Sequence, residues 1–202
     1  MKIRYIYIIV LLSAGALFIR NASEKELPMA IGEPLEIIVI KNSAEHKDNF
    51  YETLRKFLSV EIGPSPQPEK VLSIIELDQA SFKGIFKRHQ NLLFVTRSDT
   101  FSIKQTKNVF AKNQCVFSIN SPSYNALLSN KKEIVKLVHK IKDVEIKRQI
   151  LKYKNQKNLS LQQLMKDKHN LSMLLPKNFF LALDLQETTW IRSETSKIGQ
   201  GI

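Results

Sequence analysis

The chain has few of the residues from which cross-links and cofactor sites are built. It contains one cysteine, Cys115, so no disulfide can form within the chain and no cysteine cluster can bind a metal. Glycine-rich phosphate-binding loops are absent, as are the H-E-x-x-H and G-x-S-x-G motifs of hydrolases. The four histidines lie far apart and form no i, i+4 ligand pair. We therefore expect no metal, no cofactor and no catalytic residues, and we favour a non-catalytic binding or structural module over an enzyme.

Acidic residues are also scarce relative to basic ones. The 202 residues include 31 Lys and Arg but 19 Asp and Glu, a net charge of +12, and 43% of them are hydrophobic. This hydrophobic content excludes a disordered chain, and the length is enough for a core that needs no cross-links. Cys115 shares one face of a β-like segment with Phe117 and Ile119, so we expect a buried thiol that is not a nucleophile.

The first 19 residues are typical of a secretory signal peptide. Lys2 and Arg4 are followed by an apolar run from Ile6 to Ser13, and small residues precede a cleavage point after Ala16. The apolar stretch is shorter than the roughly 20 residues of a membrane-spanning helix. The alternative to a cleaved leader is a short anchor that is retained. Either interpretation places the protein in the cell envelope, in the periplasm or at a membrane.

Residues 12–15, Leu-Ser-Ala-Gly, are similar to a bacterial lipobox that lacks its final cysteine. Gly15 has no thiol to accept a lipid, so lipid attachment at this point is excluded. Residues 20–34 are polar, contain Gly32 and Pro34, and are predicted to be a linker.

Residues 35–157 are predicted to form an α/β core. Its start reads β-α-β-α-β, an order that indicates layered strands and helices with right-handed crossovers if the strands are parallel. Together with the antiparallel pair described next, this order predicts an α+β fold with a mixed sheet. The two β-like runs at 101–110 and 114–120 have no helix between them, so at least one strand pair is expected to be antiparallel. The predicted elements are strands at 35–40, 71–77, 91–96, 101–110 and 114–120, and helices at 45–59 and around 82–86.

A long basic helix is predicted from Ser121 to about residue 154, with Ser121 as its N-cap and Pro122 at its first position. Apolar residues recur along one face at helical spacing. Between residues 131 and 157 there are ten Lys or Arg residues and three acidic ones. The apolar face contains Ile134, Leu137, Val138, Ile141 and Val144, and the opposite face contains Lys132, Lys136, Lys140, Lys147 and Lys154.

A basic face of this kind is the footprint expected for an anionic partner, and it is also what a solvated lysine-rich helix looks like. We assign Lys132, Lys136, Lys140 and Lys147 as candidate contacts to an anionic membrane surface or an envelope polymer. Nucleic acid is the less favoured partner because Tyr153 is the only aromatic residue in this segment available for base stacking.

Arg88 and His89 end the second predicted helix. Cations are favoured at the carboxyl end of a helix by its dipole, which explains them without a ligand. The alternative is that both residues face a cleft and contact a ligand. An enzyme with a site near Arg88 and His89 is therefore a further hypothesis, beside the binding or structural module and the protein that docks on an anionic surface.

Residues 158–202 are predicted to form a short helix capped by Ser160, followed by strands at 171–175, 179–185 and 188–191. This part is expected to be antiparallel, and one interpretation makes it the start of a truncated second unit. Trp190 and the run from Phe179 to Leu181 are predicted to be buried.

Several stretches together resemble an uncharacterised family of envelope proteins of the Bacteroidota, catalogued as domain of unknown function 4837 (DUF4837). The resemblance covers residues 33–202 and implies an exported, lipoprotein-like protein without an assigned activity. The stretches that carry it are Glu36–Ile40, Gly63–Glu69, Ser81–Leu93 (SFKGIFKRHQNLL), Trp190–Arg192 and Gly199–Ile202.

Overall fold

A computed structural model describes residues 26–42, 48–63, 68–194 and 199–201 of the chain. The predicted leader, residues 1–19, lies outside these residues, as does the first part of the predicted linker. Four α-helices are described: α1 (Asp48–Leu58), α2 (Tyr124–Ser129), α3 (Lys131–Lys154) and α4 (Leu159–His169). The strands are β1 (Glu36–Lys41), β2 (Ser73–Asp78), β3 (Asn91–Arg97), β4 (Ser102–Lys107), β5 (Cys115–Ser121), β6 (Phe180–Asp184), β7 (Thr189–Glu194) and β8 (Gly199–Gly201).

The larger sheet has five strands in the order β2-β1-β3-β5-β4. The first four of these strands are parallel, and β4 runs antiparallel to β5 because a short turn joins the two. A second sheet, β6-β7-β8, is antiparallel. The predicted α+β fold with a mixed sheet, a long basic helix and an antiparallel carboxyl-terminal part is confirmed.

The two faces of the larger sheet are covered differently. Ile37 and Val39 point to the face on which α1, α2 and α3 pack, and their neighbours Ile38 and Ile40 point to the other. The alternation follows from the period of two in a β-strand. Cys115 is buried in the helix-covered core, as predicted. Phe82 and Phe110 pack on the opposite core, with their rings edge to face.

The second predicted helix is instead two short 3₁₀ turns, Gln79–Ser81 and Gly84–Arg88. Gly84 has a φ of +57°, in the left-handed region, which interrupts any continuous right-handed helix. Asp78 makes no capping hydrogen bond through its side chain. The prediction of an α-helix here was therefore wrong, although the segment does connect β2 to β3.

The long helix begins later than predicted. Ser123, not Ser121, is the N-cap of α2, and its hydroxyl accepts a hydrogen bond from Ala126 N at 3.2 Å. Asn130 separates α2 from α3, and its side chain donates to Ala126 O at 2.8 Å. This local bond competes with helix continuation. The apolar face of α3 is packed against the sheet as predicted, with Ile134, Leu137, Val138 and Ile141 buried.

The carboxyl-terminal part has its own small core. Leu161 and Met165 of α4 pack with Leu175 and with Ile191 of β7. The cap of α4 is Asn158, whose side chain accepts from Leu161 N, so the assignment of Ser160 was wrong by two residues. Residues 171–175 form no strand.

Burial of the second sheet was overestimated. Trp190 is 46% exposed, Phe180 44% and Leu181 41%, whereas Ile191 is fully buried. Alternation along β7 turns Ile191 towards α4 and Trp190 away from it. The guanidinium of Arg192 lies 5.7 Å from the ring centroids of both Phe180 and Trp190, so cation–π contacts replace the predicted core packing.

Gly84 and Gly63 provide a test of the 3₁₀ segment. A Cβ added at either residue has no neighbour within 4 Å, but only Gly84 has a positive φ. We expect Gly84→Ala to lower the free energy of unfolding by about 1 kcal/mol because of backbone strain alone. Gly63→Ala should leave it unchanged or slightly raised. Urea unfolding of both variants measures the difference; equal effects would contradict the left-handed assignment.

Asp184 in β6 provides a test of the contact between the second sheet and α4. The hydrogen bond from Lys168 is the main cause that lowers the pKa of Asp184 below its ordinary value of 3.8, followed by the hydrogen bond from Thr189. Because the folded pKa of Asp184 is lower than its ordinary value, these bonds stabilise the fold at pH values above 3.8. Their contribution is lost as the pH falls through the folded pKa. Carboxyl ¹³C NMR titration should show the lowered midpoint, and Lys168→Gln should raise it. An unchanged midpoint in Lys168→Gln would show that the contact is absent.

Candidate functional site

The four candidate lysines lie together on the solvent face of α3. Lys132, Lys136, Lys140 and Lys147 are exposed and lie opposite the buried apolar face, as their spacing requires at 100° per residue. Lys136 pairs with Glu133 at 2.7 Å. Within the described part of the chain, the other three make no ion pair. The face therefore keeps most of its positive charge available.

The distal half of this face, from residue 146 to the end of α3, also carries exposed apolar side chains. Ile146 is 46% exposed, Ile150 49% and Leu151 69%. At 100° per residue, Lys147 and Lys154 lie between these apolar residues on the same arc of the helix. Burial of the apolar face ends at Glu145, the last buried residue of α3. Beyond Glu145, exposed apolar residues lie on the solvent face of the helix. The spacing of Ile146 and Ile150 in the sequence already indicates this change of face, but we did not predict it.

Arg88 and His89 contact the protein itself. They hold residues 28–33, the amino-terminal strap, across the amino ends of β3 and β5. The guanidinium of Arg88 donates to Met29 O at 3.2 and 3.3 Å. Backbone hydrogen bonds join Ile31 to Arg88 and Gln90. Part of the predicted linker is thus bonded to the core.

His89 is buried, and both of its ring nitrogens have protein partners. Nε2 lies 2.6 Å from a carboxylate oxygen of Glu36, and Nδ1 lies 3.0 Å from the carbonyl oxygen of Asn91. Gly32 covers the ring so closely that a Cβ there would lie 2.5 Å from Nε2. A general acid or base must reach a substrate proton. This geometry gives the enzyme hypothesis no support, and the assignment of Arg88 and His89 as ligand contacts stays a prediction.

A cluster of hydrogen-bonded polar side chains connects the sheet to α3. We call it the buried network; its members are Asn91, Glu145, Arg148 and Gln149. Asn91 donates to Glu36 O at 3.0 Å and accepts from Arg148 at 3.3 Å. Arg148 also pairs with Glu145, a carboxylate that is only 2% exposed and that accepts from Gln149 as well. The partners are more than 50 residues apart in sequence, except within the helix, so no local pattern indicated the network. An acidic residue on the apolar face, Glu145, was its one signal.

Neither a metal site nor a membrane span is found in the described ranges. No group of three or more His, Cys, Asp or Glu side chains there is placed to hold a metal ion. No helix among residues 26–42, 48–63, 68–194 and 199–201 has the length and apolar character needed to cross a bilayer.

The two i, i+3 ion pairs of α3 allow a matched test of the network. We expect Arg148→Gln to lower the free energy of unfolding by about 3 kcal/mol, because Glu145 would remain buried without its cation. Lys136→Gln breaks the exposed pair and should cost less than about 1 kcal/mol. The double change Glu145→Gln, Arg148→Gln should recover part of the loss. Chemical denaturation measures all three, and equal losses for the two single variants would contradict a buried pair.

Comparison with known proteins corrects the resemblance inferred from the sequence. No curated protein and no solved structure matches the chain. Residues 30–154 match the family described as "Domain of unknown function (DUF8532)", so the assignment to DUF4837 was wrong. Three of the five short stretches on which that assignment rested, Glu36–Ile40, Gly63–Glu69 and Ser81–Leu93, lie within the matched residues. The match covers β1 to the end of α3, which includes the buried network, the basic face and most of the strap. The chain belongs to the DUF8532 family, whose function is unknown.

Proposed function

We propose that this protein is a non-catalytic, exported envelope protein that docks peripherally on an anionic membrane surface through the solvent face of α3. We call this surface the docking face; it consists of Lys132, Lys136, Lys140, Ile146, Lys147, Ile150, Leu151 and Lys154. The observation that carries the proposal is the interleaving of exposed Ile146, Ile150 and Leu151 with Lys147 and Lys154 over the last turns of the helix.

Both components are needed at a membrane interface. Each lysine near an anionic surface contributes about 1 kcal/mol of attraction, and apolar side chains enter the boundary between head groups and acyl chains. Lys132, Lys136 and Lys140 extend the positive face towards the start of the helix. Asp143, exposed on the same face, reduces the charge by one. A merely solvated helix has no need of three exposed aliphatic side chains on its charged face.

Export rests on the leader. Lys2, Arg4 and the apolar run that follows them have the pattern of a secretory signal peptide. Gly15 excludes lipid attachment at the lipobox-like sequence. A peripheral docking face would give an exported protein without that lipid a way to stay at a membrane. If the leader is retained instead, it would act as a second attachment.

An anionic envelope polymer is the second candidate partner. It would use the lysines in the same way but would give no role to the aliphatic side chains. The exposed aliphatic residues therefore favour the membrane, and an experiment that removes them alone separates the two partners.

Sedimentation with vesicles tests the docking face. The probe is vesicles of phosphatidylcholine containing about one third phosphatidylglycerol, with pure phosphatidylcholine as the control lipid. We expect Lys132→Gln, Lys136→Gln, Lys140→Gln and Lys147→Gln together to weaken binding at least about tenfold, because four attractions are lost. The matched control removes four exposed lysines elsewhere: Lys56, Lys70, Lys83 and Lys104. If both fourfold variants bind equally well, the face is not the docking site.

A second variant distinguishes membrane from polymer. Ile146→Ser, Ile150→Ser and Leu151→Ser together change exposed positions, so the fold should be retained. We expect this variant to lose vesicle binding and to keep its binding to dextran sulfate, a soluble anionic polymer. Unchanged vesicle binding would reject insertion and leave the polymer as the partner.

A further inference from the structure

A cleft of about 320 Å³ lies between the turn that joins β4 to β5 and the distal half of α3. This volume is at the lower end of the range of small-molecule sites. The turn and the adjoining strand ends contribute Lys107, Asn108, Asn113, Gln114 and Cys115, and α3 contributes Val144, Lys147, Arg148 and Leu151.

The turn side of the cleft is held in place by Gln114. Its side-chain nitrogen donates to the carbonyl oxygens of Lys87 and His89, each at 2.7 Å, and its side-chain oxygen accepts from Phe110 N at 2.9 Å. Asn108 and Asn113 adopt the left-handed conformation that the turn requires. The turn is therefore organised without any ligand.

The helix side of the cleft is held by the buried network. Arg148 is fixed by Glu145 and by the side chain of Asn91, so its guanidinium cannot move freely. Val144 packs against the main core. Both sides of the cleft are thus preorganised, which lowers the entropic cost of binding a ligand.

The charged residues that line the cleft are all cations. Lys107, Lys147 and Arg148 lie along it, and no carboxylate of the described residues does. Arg148 is largely neutralised by Glu145, but Lys107 and Lys147 make no ion pair with any residue that the structure describes. Cys115, Val144 and Leu151 supply apolar surface between the cations. A ligand that fits must combine negative charge with an apolar body.

We propose that this cleft binds a phosphate group carried on a short apolar chain, with Lys107 and Lys147 contacting the phosphate and Val144 and Leu151 contacting the chain. Two lysines from opposite sides suit a doubly charged phosphate with three acceptor oxygens. The head group of phosphatidic acid and a free alkyl phosphate share this chemistry, whereas phosphatidylglycerol, a singly charged diester, does not. The cleft shares Lys147 and Leu151 with the docking face but also needs Lys107, which lies on β4 and not on α3, so Lys107 is the residue that distinguishes the two sites.

Octyl phosphate, followed by calorimetry and by amide NMR shifts, is the first probe. We expect saturable binding, with shifts at residues 107, 108, 147 and 151. Inorganic phosphate, which lacks the chain, should bind at least about tenfold more weakly, and octyl glucoside, which lacks the charge, should not bind. Equal binding of octyl glucoside, or equal binding of inorganic phosphate, would overturn the proposal.

Lys107→Gln is the deciding variant, and Lys104→Gln is its control. Both lysines are exposed and lie on β4, but the odd spacing between them places them on opposite faces of the strand. We expect Lys107→Gln to weaken octyl phosphate binding about tenfold, since one of two phosphate contacts is lost, and Lys104→Gln to leave it unchanged. Equal effects of the two variants would overturn the assignment.

Vesicle sedimentation of Lys107→Gln separates this proposal from docking. This variant should bind the phosphatidylglycerol vesicles as the wild type does. Failure of the cleft and failure of the docking face are therefore distinguishable. Dihexanoyl phosphatidic acid identifies the source: binding as tight as that of octyl phosphate supports a lipid head group, and binding of octyl phosphate alone supports a single-chain phosphate. If neither compound binds, the proposal is rejected.

Discussion

The buried ion pair between Glu145 and Arg148 is the contact on which the rest of this structure depends. A carboxylate that is 2% exposed needs a cation beside it, and Arg148 provides that cation while also donating to Asn91 at the start of β3. The distal half of α3 is consequently attached to the sheet by polar contacts and not by an apolar face. Its aliphatic side chains are free to point outward, and Arg148 is held where it lines the cleft.

The proposed docking face and the proposed ligand cleft share this origin. Both use the region where α3 continues beyond the core, and both include Lys147. They differ in what else they need: the docking face depends on residues of one helix, whereas the cleft also requires Lys107 and the turn fixed by Gln114. The strap and His89 stabilise the same end of the sheet from the other side, through Glu36 and Gln90.

Periodicity predicted the parts of the fold that depend on local pattern. The strands of the larger sheet, the antiparallel pair and the buried face of α3 were correct because alternation and helical spacing are properties of short segments. Gly84 and Asn130 were missed as interruptions because one backbone conformation decided the first and one local side-chain hydrogen bond the second. Trp190 was wrongly placed in a core because burial depends on which elements cover a sheet.

The network around Asn91 joins residues from distant segments and was beyond any local pattern. The lysines of the basic face were identified from sequence, but the aliphatic residues among them were not.

A nitroxide spin label at position 150 tests most directly whether the distal half of α3 enters a membrane. Cys115 is buried, so the label attaches to the introduced thiol of Ile150→Cys, and Ile75→Cys, exposed on β2, is the control. With anionic vesicles, we expect the label at 150 to become more accessible to oxygen than to a water-soluble nickel complex, while the label at 75 stays in water. A label at 150 that remains as accessible to the nickel complex as in solution would contradict docking through α3.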